Sequence, residues 1–428
     1  MRFSALDGLT IGVWGAGLET RSFARHVAAQ LPRARIAVVV LEEPADAPEL
    51  TDGARVVDAS GADALRGCDV VVRSPGVSIY RPELRGLRTT TPTALWMAER
   101  EGRRVIGVTA TKGKSTTSKL IAHLIARAGV EVRLGGNIGA PALDLLDDDA
   151  LAVIELSSYQ IADLATGPET AVVSNVYAEH VNWHGSVEAY RRDKLRLLTL
   201  DGVRRCVLNA TSEAVMAAPR VPEAEAFTFG AAPGWHVTEE GAVARGDVVV
   251  SELPLIGRHN ALNVCGAFTA VEAAGVPLEI DALKDFVGLD HRLQIVHEAD
   301  GVRWVDDSIS TEPEAAKFAV ESFPDAQVVL IGGGFERSQD YTELGTVLAA
   351  RGARVLGLPD TGSRLVDAVR AADGEAELVP DLPAAVAAAR AAAQPGTVVL
   401  LSPAAPSFNT HKNFAARGDH FAELARAR

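Results

Sequence analysis

The chain has 428 residues, of which 47% are hydrophobic and 23% are charged, and its formal net charge at pH 7 is -14. This length exceeds what one hydrophobic core usually organises, so we expect two or three domains. The acidic balance excludes a general nucleic-acid-binding protein, which needs basic surface to displace counterions. Small anionic ligands are not excluded, because glycine loops and helix N-termini bind them locally.

The N-terminus and the cysteines indicate the cellular compartment of the protein. No apolar run is long enough to cross a bilayer, and residues 1–10 lack the pattern of a secretory signal. Three isolated cysteines, Cys68, Cys206 and Cys265, show no metal-binding or redox spacing. We therefore expect a cytoplasmic monomer without membrane insertion, in which the cysteines are small core residues.

The first ninety residues alternate apolar, β-rich runs with helical patterns, which predicts an α/β domain with a parallel sheet. The first strand leads into Gly12-Val-Trp-Gly15-Ala-Gly17-Leu-Glu-Thr20. A Gly-x-Gly loop is weakly specific, and a dinucleotide site with Glu42 on a ribose is one alternative. Thr20 disfavours that alternative, because it stands at the third glycine position and crowds helix against strand. The strands predicted here are residues 10–14, 36–41, 55–58 and 69–72.

A strand predicted at residues 105–108 runs into Gly107-Val-Thr-Ala-Thr-Lys-Gly113-Lys114-Ser115-Thr116-Thr117, and an amphipathic helix follows. This context is typical of a phosphate-binding P-loop. Backbone N–H groups hold phosphate oxygens, Lys114 supplies a positive charge, and Ser115 reaches a magnesium ion. The spacing departs from Gly-x-x-x-x-Gly-Lys, because Val108 stands five residues before Gly113. A glycine turn with an ordinary helix cap is the alternative.

Polar residues follow the next predicted strand, residues 151–154, in the order Glu155-Leu-Ser157-Ser158-Tyr-Gln. The carboxyl ends of strands are where α/β proteins bind ligands, so Glu155 is a candidate magnesium ligand. Asn175, His180 and Lys194 come farther on. A single His or Lys of this kind is more often a surface or core residue, but the combination with the P-loop favours a functional role.

A further α/β series begins near His291. The predicted fold is α/β with three domains, namely a Rossmann-like domain, a central P-loop ATPase-type domain and a C-terminal Rossmann-like domain. We place them at residues 1–91, 92–288 and 289–428. The strands predicted in the last domain are residues 302–305, 328–331, 354–358 and 397–401, with a helix in the alanine-rich segment 383–393.

With these motifs, the sequence resembles the Mur ligase family along nearly its full length. The family's central loop reads Thr-Gly-Thr-Asn-Gly-Lys-Ser/Thr, from which Ala110 and Lys112 depart here. Ala110 removes some backbone freedom. The segment Leu401 to Gly418 matches the signature of members that add glutamate. The resemblance implies ATP-dependent joining of glutamate to UDP-N-acetylmuramoyl-L-alanine through an acyl phosphate, in peptidoglycan precursor synthesis.

The resemblance also implies site residues. Lys194 would be a carbamate, which turns a cation into an oxygen ligand for magnesium, whereas an ammonium paired with a phosphate is the alternative. The implied catalytic residues are Lys114, Glu155, His180 and Lys194, and the implied magnesium ligands are Ser115, Glu155, His180 and Lys194. The implied ATP-binding residues are Thr111, Lys112, Gly113, Lys114, Ser115, Thr116, Asn260, Asn263, Arg292 and Asp307. The implied UDP-sugar-binding residues are Gly15, Ala16, Gly17, Ser74, Pro75, Gly76, Asn137 and Ser157.

The implied glutamate-binding residues bear on the isomer. D-Glutamate-adding members read Asp-Ser-Lys-x-Thr where this chain has Ile309 in place of the lysine. Since isoleucine cannot donate a charged hydrogen bond, other residues must hold the carboxylate. The segment resembles divergent members that accept L-glutamate, and we favour L-glutamate over D-glutamate. Thr311 has an alternative role as a cap for a helix beginning at Pro313, with Glu314 completing the capping box. The glutamate-binding residues that the resemblance implies are Ser310, Thr311, Arg337, Ser407 and Phe414.

Three other functions compete with this interpretation. A P-loop ATPase or kinase without ligation has no need for the C-terminal segment 407–418. A non-catalytic precursor sensor would be expected to lose Lys114, Glu155, His180 or Lys194, and all four are present. Another Mur ligase, or a folylpolyglutamate synthase, shares the central loop and differs in the end domains.

Overall fold

The computed structural model describes residues 1–42, 46–100, 102–177 and 179–427. These residues form two compact units. Unit 1 contains residues 1–254 and 259–286, and unit 2 contains residues 255–258 and the chain from Val287 onward. Both units are mixed α/β structures with parallel sheets, which confirms the predicted fold class. In the part of the chain that is described, no helix is both long and apolar enough to cross a membrane.

The N-terminal part of unit 1 is an open parallel sheet with helices. Its elements are β1 (Thr10–Trp14), α1 (Leu18–Gln30), β2 (Arg35–Val40), α2 (Pro48–Thr51), β3 (Arg55–Val57), β4 (Val70–Arg73), β5 (Thr89–Thr90) and α3 (Pro92–Glu99). The strand order is β3-β2-β1-β4-β5, and neighbouring strands run parallel. The central strands are valine-rich and buried, as expected for a sheet that helices cover.

The second sheet of unit 1 holds the predicted P-loop. Its elements are β6 (Val105–Thr109), α4 (Lys114–Arg127), β7 (Val132–Gly136), β8 (Leu151–Glu155), α5 (Ser158–Ile161), β9 (Thr170–Val173), α6 (Val181–His184), α7 (Val187–Leu195), β10 (Arg205–Asn209), α8 (Glu213–Met216) and β11 (Glu225–Phe229). The order is β11-β10-β9-β6-β8-β7, all parallel. Later strands lie on both sides of β6, so its carboxyl end is a switch point where α/β proteins bind ligands.

A small antiparallel sheet and a buried helix follow. The elements are β12 (His236–Val237), β13 (Val243–Arg245), β14 (Val248–Val250) and α9 (Arg258–Ala273). Most of α9 is buried, including two polar residues of its first turn and a half, Asn260 and Asn263. Buried amides in a helix need partners, so these two asparagines point to a contact with another polar segment.

Unit 2 is a six-stranded sheet between two helix layers. Its elements are β15 (Gln294–Ala299), β16 (Val302–Asp306), α10 (Pro313–Glu321), β17 (Gln327–Gly332), α11 (Thr342–Ala350), β18 (Arg354–Gly357), α12 (Gly362–Ala371), β19 (Ala376–Leu378), α13 (Leu382–Ala392), β20 (Thr397–Leu401) and α14 (Phe414–Arg426). The order is β15-β16-β20-β17-β18-β19, with β15 antiparallel. Helices α10 to α12 pack on one face, and α13 and α14 pack on the other.

The predicted strands are all present, with ends that differ by at most one residue, and the predicted helices at Pro313 and in segment 383–393 are confirmed. The capping alternative for Thr311 is wrong. The chain is extended at Glu312, as residues before proline usually are, so Glu312 is the N-cap of α10 and makes no side-chain cap bond. The division into three domains stays a prediction. Unit 1 contains the first predicted domain and most of the second.

Candidate active site

The predicted phosphate loop lies between β6 and α4 in unit 1. Gly113 has φ +89°, a conformation that favours glycine, and a Cβ atom there would lie 2.4 Å from Asn263 Oδ1. Asn263 Nδ2 donates to Asn260 Oδ1 at 3.1 Å. Asn263 of α9 is therefore packed against the loop and is hydrogen-bonded to Asn260, and ATP binding by these two residues stays a prediction. Ser115 and Thr116 follow in the first turn of α4.

Asn175 and Tyr190 hold the backbone of this loop. Asn175 Oδ1 accepts from Lys112 N, and Asn175 Nδ2 donates to Lys112 O, both at 2.9 Å. The Thr111 hydroxyl lies 2.7 Å from Tyr190 OH and accepts from Tyr177 N at 2.9 Å. The sequence offered no signal for Tyr190, and Asn175 stood out without a defined role. Both residues hold the backbone of the loop in place.

Two lysine amines converge on one carbonyl oxygen. Lys114 Nζ donates to Ala110 O at 3.0 Å and to Thr111 O at 3.1 Å. Lys194 Nζ donates to the same Ala110 O at 2.9 Å and to Thr109 Oγ1 at 3.4 Å. Lys194 is 2% exposed. Burial, and then the charge of Lys114, hold the pKa of the Lys194 amine well below its usual value. Both effects disfavour the charged form of the Lys194 amine.

Glu155 ends β8 beside this loop and is 1% exposed. Asn137 Nδ2 donates to Glu155 Oε1 at 2.8 Å, whereas Glu155 Oε2 has no hydrogen-bond partner among the described residues. A buried carboxylate oxygen without a partner is costly, and a bound cation would satisfy it. The donor set therefore fits a hard cation such as magnesium, with Glu155 as one ligand.

His180 lies at the N-terminus of α6 and is half-exposed. Burial lowers the pKa of its imidazole, and the charges of Lys194 and Lys114 lower it further. Glu179 pairs with Lys112 Nζ at 2.5 Å, and its other oxygen lies 3.5 Å from His180 Nε2. The described residues contain no cluster of three or more His, Cys, Asp or Glu side chains suited to a metal. A magnesium ion here would thus need other ligands, such as the Ser115 hydroxyl or a modified lysine.

A cleft of about 660 Å³ opens at the carboxyl end of the first sheet of unit 1. Four predicted UDP-sugar residues line it, namely Gly15, Ala16, Ser74 and Gly76. Gly17 caps α1 nearby, and Pro75 O accepts from Trp183 Nε1 at 3.1 Å. Thr20 donates to Gly15 O at 2.8 Å, so the crowding side chain tightens the turn.

Sequence reasoning missed two residues of this cleft, Arg81 and Trp183. The Arg81 guanidinium lies 4.8 Å from the centroid of the Trp14 ring and pairs with Glu42 at 2.7 Å. An Arg-aromatic contact is a flat, charged surface suited to a nucleotide base or phosphate. No sequence spacing could have identified it, because Trp14, Arg81 and Trp183 come from segments that are far apart in the chain.

The remaining UDP-sugar prediction, Ser157, lies at the N-cap of α5. It forms a capping box with Gln160, whose Nε2 donates to Glu19 Oε1 at 2.7 Å. Glu19 also accepts from the Thr93 hydroxyl at 2.7 Å. Burial raises the pKa of the Glu19 carboxyl. Ser157 therefore has a clear structural role in unit 1, and substrate binding by its hydroxyl stays a prediction.

In unit 2, the predicted ATP residues Arg292 and Asp307 lie together. Their Nη1 and Oδ1 atoms are 3.7 Å apart, and Arg292 Nη1 donates to Ser310 Oγ at 3.0 Å. Ser402 Oγ donates to Asp307 Oδ2 at 2.7 Å. Burial raises the pKa of Asp307 to about 6, despite the opposing charge of Arg292. Ser310, predicted to bind glutamate, is thus part of this buried cluster.

The other predicted glutamate residues come from loops at the carboxyl edge of the same sheet. Ser407 Oγ is buried without a partner among the described residues, and Phe414 O accepts from Ser308 Oγ at 2.8 Å. Arg337 is exposed, with its guanidinium 6.0 Å from the centroid of the Phe408 ring. Thr311 O accepts from Gln339 Nε2 at 3.3 Å. Ile309 is partly buried, and its N–H donates to His291 O.

Comparisons with known proteins agree with this geometry. The model of the Mur ligase middle domain matches residues 108–271, and the model of the Mur ligase glutamate ligase domain matches residues 291–405. A UDP-N-acetylmuramoyl-L-alanine--L-glutamate ligase of Micromonospora sp. is 41% identical, with 100% of this chain and 98% of that protein covered. The protein of the same name from Xanthomonas euvesicatoria pv. vesicatoria is 38% identical, with 99% and 97% covered.

Solved structures show the same fold. The UDP-N-acetylmuramate-alanine ligase of Thermotoga maritima has a TM-score of 0.61 at 18% identity, with 97% of this chain and 98% of that chain covered. The MurF ligase of Thermotoga maritima, in complex with ADP, has a TM-score of 0.60 at 17% identity, with 99% and 96% covered. The matched family models and the relatives named as ligases define the class, that of ATP-dependent amide-bond ligases. The chain belongs to the Mur ligase family.

Proposed function

We propose that this chain uses ATP to join L-glutamate to UDP-N-acetylmuramoyl-L-alanine, through an acyl phosphate, in peptidoglycan precursor synthesis. The observation that carries the proposal is the convergence of Lys114, Lys194 and Glu155 on the phosphate loop of unit 1. The substrates are inferred from relatives that align over the full chain and carry L-glutamate in their names.

The chemistry needs phosphate binding more than covalent catalysis. A carboxylate is a poor electrophile, so amide formation must be coupled to phosphoryl transfer, which depends on positioning and charge neutralisation. Bound ATP and magnesium supply the phosphoryl group and part of that neutralisation. The N-terminus of α4 and Lys114 would hold the phosphates. Ser115, Glu155, His180 and Lys194 would hold the ion, and the unpartnered Glu155 Oε2 supports this set.

The carbamate on Lys194 is part of the proposal. Carbon dioxide reacts with a neutral amine, and burial beside a second lysine favours that form of Lys194. The Lys194 amine has only neutral hydrogen-bond acceptors, Ala110 O and Thr109 Oγ1, in the part of the chain that the structure describes. A carbamate would place an anion on this buried side chain, near two other lysines, Lys112 and Lys114.

The choice of L-glutamate depends on unit 2. Ile309 cannot supply the cation that the D-glutamate-adding members use, so Ser310, Thr311 and Arg337 would replace it. Ser407, and Phe414 at the start of α14, would complete the glutamate site. The buried Ser407 hydroxyl without a partner supports a ligand in this place. D-Glutamate addition is the competing activity. The names of the relatives give the isomer that those proteins use, and the isomer that this chain uses has to be measured.

Other expectations accompany the function. Residues 1–91, 92–288 and 289–428 are proposed as UDP-sugar, ATP and glutamate domains, which is supported by the presence of a separate parallel sheet in each range. The cleft of unit 1 with Gly15 and Ser74 would take the UDP group. A cytoplasmic monomer remains the predicted form.

The deciding experiment is a ligation assay with UDP-N-acetylmuramoyl-L-alanine, ATP and magnesium, with L- or D-glutamate in separate reactions. We expect phosphate release and a product with the mass of one added glutamate, with L-glutamate only. The Lys114→Ala variant should lose phosphate release and still bind the UDP-sugar. A product formed only with D-glutamate would refute the proposed preference for L-glutamate. Phosphate release without any ligated product would refute the proposed ligase activity.

A further inference from the structure

A chain of side-chain hydrogen bonds connects the cleft of unit 1 to α7, the helix that carries Lys194. It begins at Tyr80, in the loop that follows β4. This loop, residues 74–81, forms part of the cleft wall, and we call it the cleft loop. Tyr80 OH donates to Asp193 Oδ2 at 2.6 Å. Tyr80 is 44% exposed, whereas Asp193, which directly precedes Lys194, is 4% exposed. A residue of the cleft loop therefore holds a buried carboxylate next to Lys194.

Asp193 extends this chain to His184 and Ser158, which are both buried. His184 Nδ1 lies 2.7 Å from Asp193 Oδ2, and His184 Nε2 lies 3.0 Å from Ser158 Oγ. Burial acts to raise the pKa of Asp193, but hydrogen bonds from His184 and Tyr80 outweigh it and lower that pKa. Since an ionised carboxylate only accepts hydrogen bonds, His184 Nδ1 is a donor, and in the neutral ring Nε2 then accepts from Ser158. Each of the four side chains therefore has a defined partner.

The helices that this chain joins carry or adjoin the predicted magnesium ligands. Ser158 is the first residue of α5 and follows closely after Glu155, which ends β8. His184 ends α6, and His180 is the N-cap of that helix. Lys194 lies in α7. The hydrogen bonds therefore hold α5, α6 and α7 together at the point where the predicted ligands of the ion enter the chain.

The order Ser158, His184 and Asp193 is also that of a hydrolytic triad, which is an alternative role for these residues. A nucleophile must reach its substrate, but the three residues are only 2%, 3% and 4% exposed. None of them is among the described residues that line the cleft of unit 1. The arrangement therefore supports a positioning role rather than nucleophilic catalysis.

Other contacts hold the cleft loop against α6 independently of the Tyr80 hydroxyl. Trp183 Nε1 donates to Pro75 O and to Gly76 O, both at 3.1 Å. Ser78 Oγ donates to Trp183 O at 2.7 Å. The rings of Tyr80 and Trp183 pack edge to face, with centroids 5.9 Å apart. Removal of the Tyr80 hydroxyl alone therefore breaks the bond to the carboxylate and leaves the loop docked.

We propose that Tyr80 and Asp193 are positioning residues of the ligase. Together with His184 and Ser158 they form a relay, which fixes the orientation of Lys194 and of the segment after β8. Partners of this kind orient metal ligands without touching the reacting atoms. Because Tyr80 belongs to the cleft loop, a nucleotide sugar that contacts this loop would also steady the relay. The inference rests on the proposed function, since the predicted ligands serve that reaction.

The test compares the ligation kinetics of the wild type and Tyr80→Phe, with UDP-N-acetylmuramoyl-L-alanine as the varied substrate. The substitution removes the hydroxyl and keeps the ring contact with Trp183. We expect kcat to fall roughly 10-fold and the KM for the nucleotide sugar to stay within about twofold. A side chain that only shapes the cleft would change KM instead. An unchanged kcat, with or without a higher KM, would overturn the proposal.

A double-mutant cycle with Asp193→Ala tests whether the two residues act as one unit. Asp193→Ala removes the acceptor of both Tyr80 and His184 and should lower kcat roughly 100-fold. Adding Tyr80→Phe should lower kcat by less than about twofold more, because the hydroxyl has no carboxylate left to hold. Additive effects would overturn the relay. Urea unfolding checks the fold of each variant, and the result for Tyr80→Phe stands by itself if Asp193→Ala does not fold.

Tyr341→Phe is the matched control for the loss of a tyrosine hydroxyl. Tyr341 OH donates to Ala404 O at 3.1 Å in unit 2, outside the relay. We expect kcat of this variant to stay within about twofold of the wild type. An equal fall of kcat in Tyr341→Phe and Tyr80→Phe would contradict a specific role of the relay.

Failure of the proposed function has a separate signature. If the wild type forms no ligated product, the proposed function is wrong, and calorimetry then tests the relay without ligation. The Kd of ATP with magnesium should be roughly 5-fold higher in Tyr80→Phe than in the wild type, with the Kd of UDP unchanged. Equal Kd values for ATP in the two proteins would then overturn the relay.

Discussion

Lys194 in unit 1 and Arg417 in unit 2 are both buried cations without a carboxylate partner within ion-pair distance among the described residues, yet burial affects them differently. Burial takes the pKa of the lysine well below its usual value, toward a neutral amine. The arginine, with a pKa of about 10, keeps its charge. The difference follows from the delocalised guanidinium, which holds its proton more tightly than an ammonium group. A buried lysine therefore offers reactivity, whereas a buried arginine offers a fixed charge.

Among the variants that test this contrast, we expect substitution of Lys194 to have the largest effect on activity. Lys194→Ala should lower kcat by roughly 1000-fold, about 4 kcal/mol, because an oxygen ligand near the phosphate loop is lost. Added acetate should restore part of the activity. The matched control is Lys194→Arg, which keeps a cation, cannot form a carbamate and should stay inactive with acetate. Activity of Lys194→Ala within twofold of the wild type would rule out the carbamate.

The reciprocal change is at Arg417. Arg417→Met should lower the free energy of unfolding by about 3 kcal/mol, because Ser308 O, Ser308 Oγ and Ala405 O would lose their donor. Urea unfolding measures this loss. In Arg417→Lys burial should lower the pKa of the new amine, as it does for Lys194, so the stability of this variant should depend on pH more steeply than that of the wild type. Equal pH dependence of the two proteins would contradict the contrast.

Asp307 extends the comparison to a buried acid. Its pKa is about 6 in the folded chain, against an ordinary value near 3.8, so the folded state binds the proton more tightly than the unfolded state. Stability from this residue is present below pH 4 and is lost as the pH rises through 6, by up to about 3 kcal/mol. In Asp307→Asn the free energy of unfolding should change less between pH 4 and pH 6 than in the wild type, as measured by urea unfolding at each pH. A profile identical to that of the wild type would refute the shifted pKa.

The smallest effect is expected for Lys112 and Glu179, a partly exposed pair at 2.5 Å. A double-mutant cycle with Lys112→Asn and Glu179→Gln should give a coupling energy of about 0.5 to 1 kcal/mol in ATP binding, because solvent screens the pair. Calorimetric titration with ATP provides the measurement, with Arg103→Gln as a control in an exposed pair with Asp149. A coupling energy of zero would mean that this departure from the family loop has no role in positioning Glu179.

Most of the fold could be predicted from local pattern. Valine-rich runs separated by amphipathic stretches placed the strands within one residue, because β-branched residues and period-3.6 patterns are local properties. The alternative that Thr311 caps α10 is wrong, because the choice between two adjacent residues depends on the extended backbone before Pro313. Motif spacing also placed Gly113 and Lys114 at the start of α4, since a strand, a glycine and a helix are consecutive in sequence.

Contacts between distant loops could not be predicted in this way. The sequence by itself determined the α/β class and the phosphate loop, because these follow from short-range order, and its resemblance to the Mur ligase family supplied the other candidate site residues. Only the tertiary structure decided that Lys194 shares Ala110 O with Lys114 and that Asn175 and Tyr190 hold the loop. The physical reason is that burial and shared hydrogen-bond partners depend on which strands become neighbours, and strand order is a property of the whole chain.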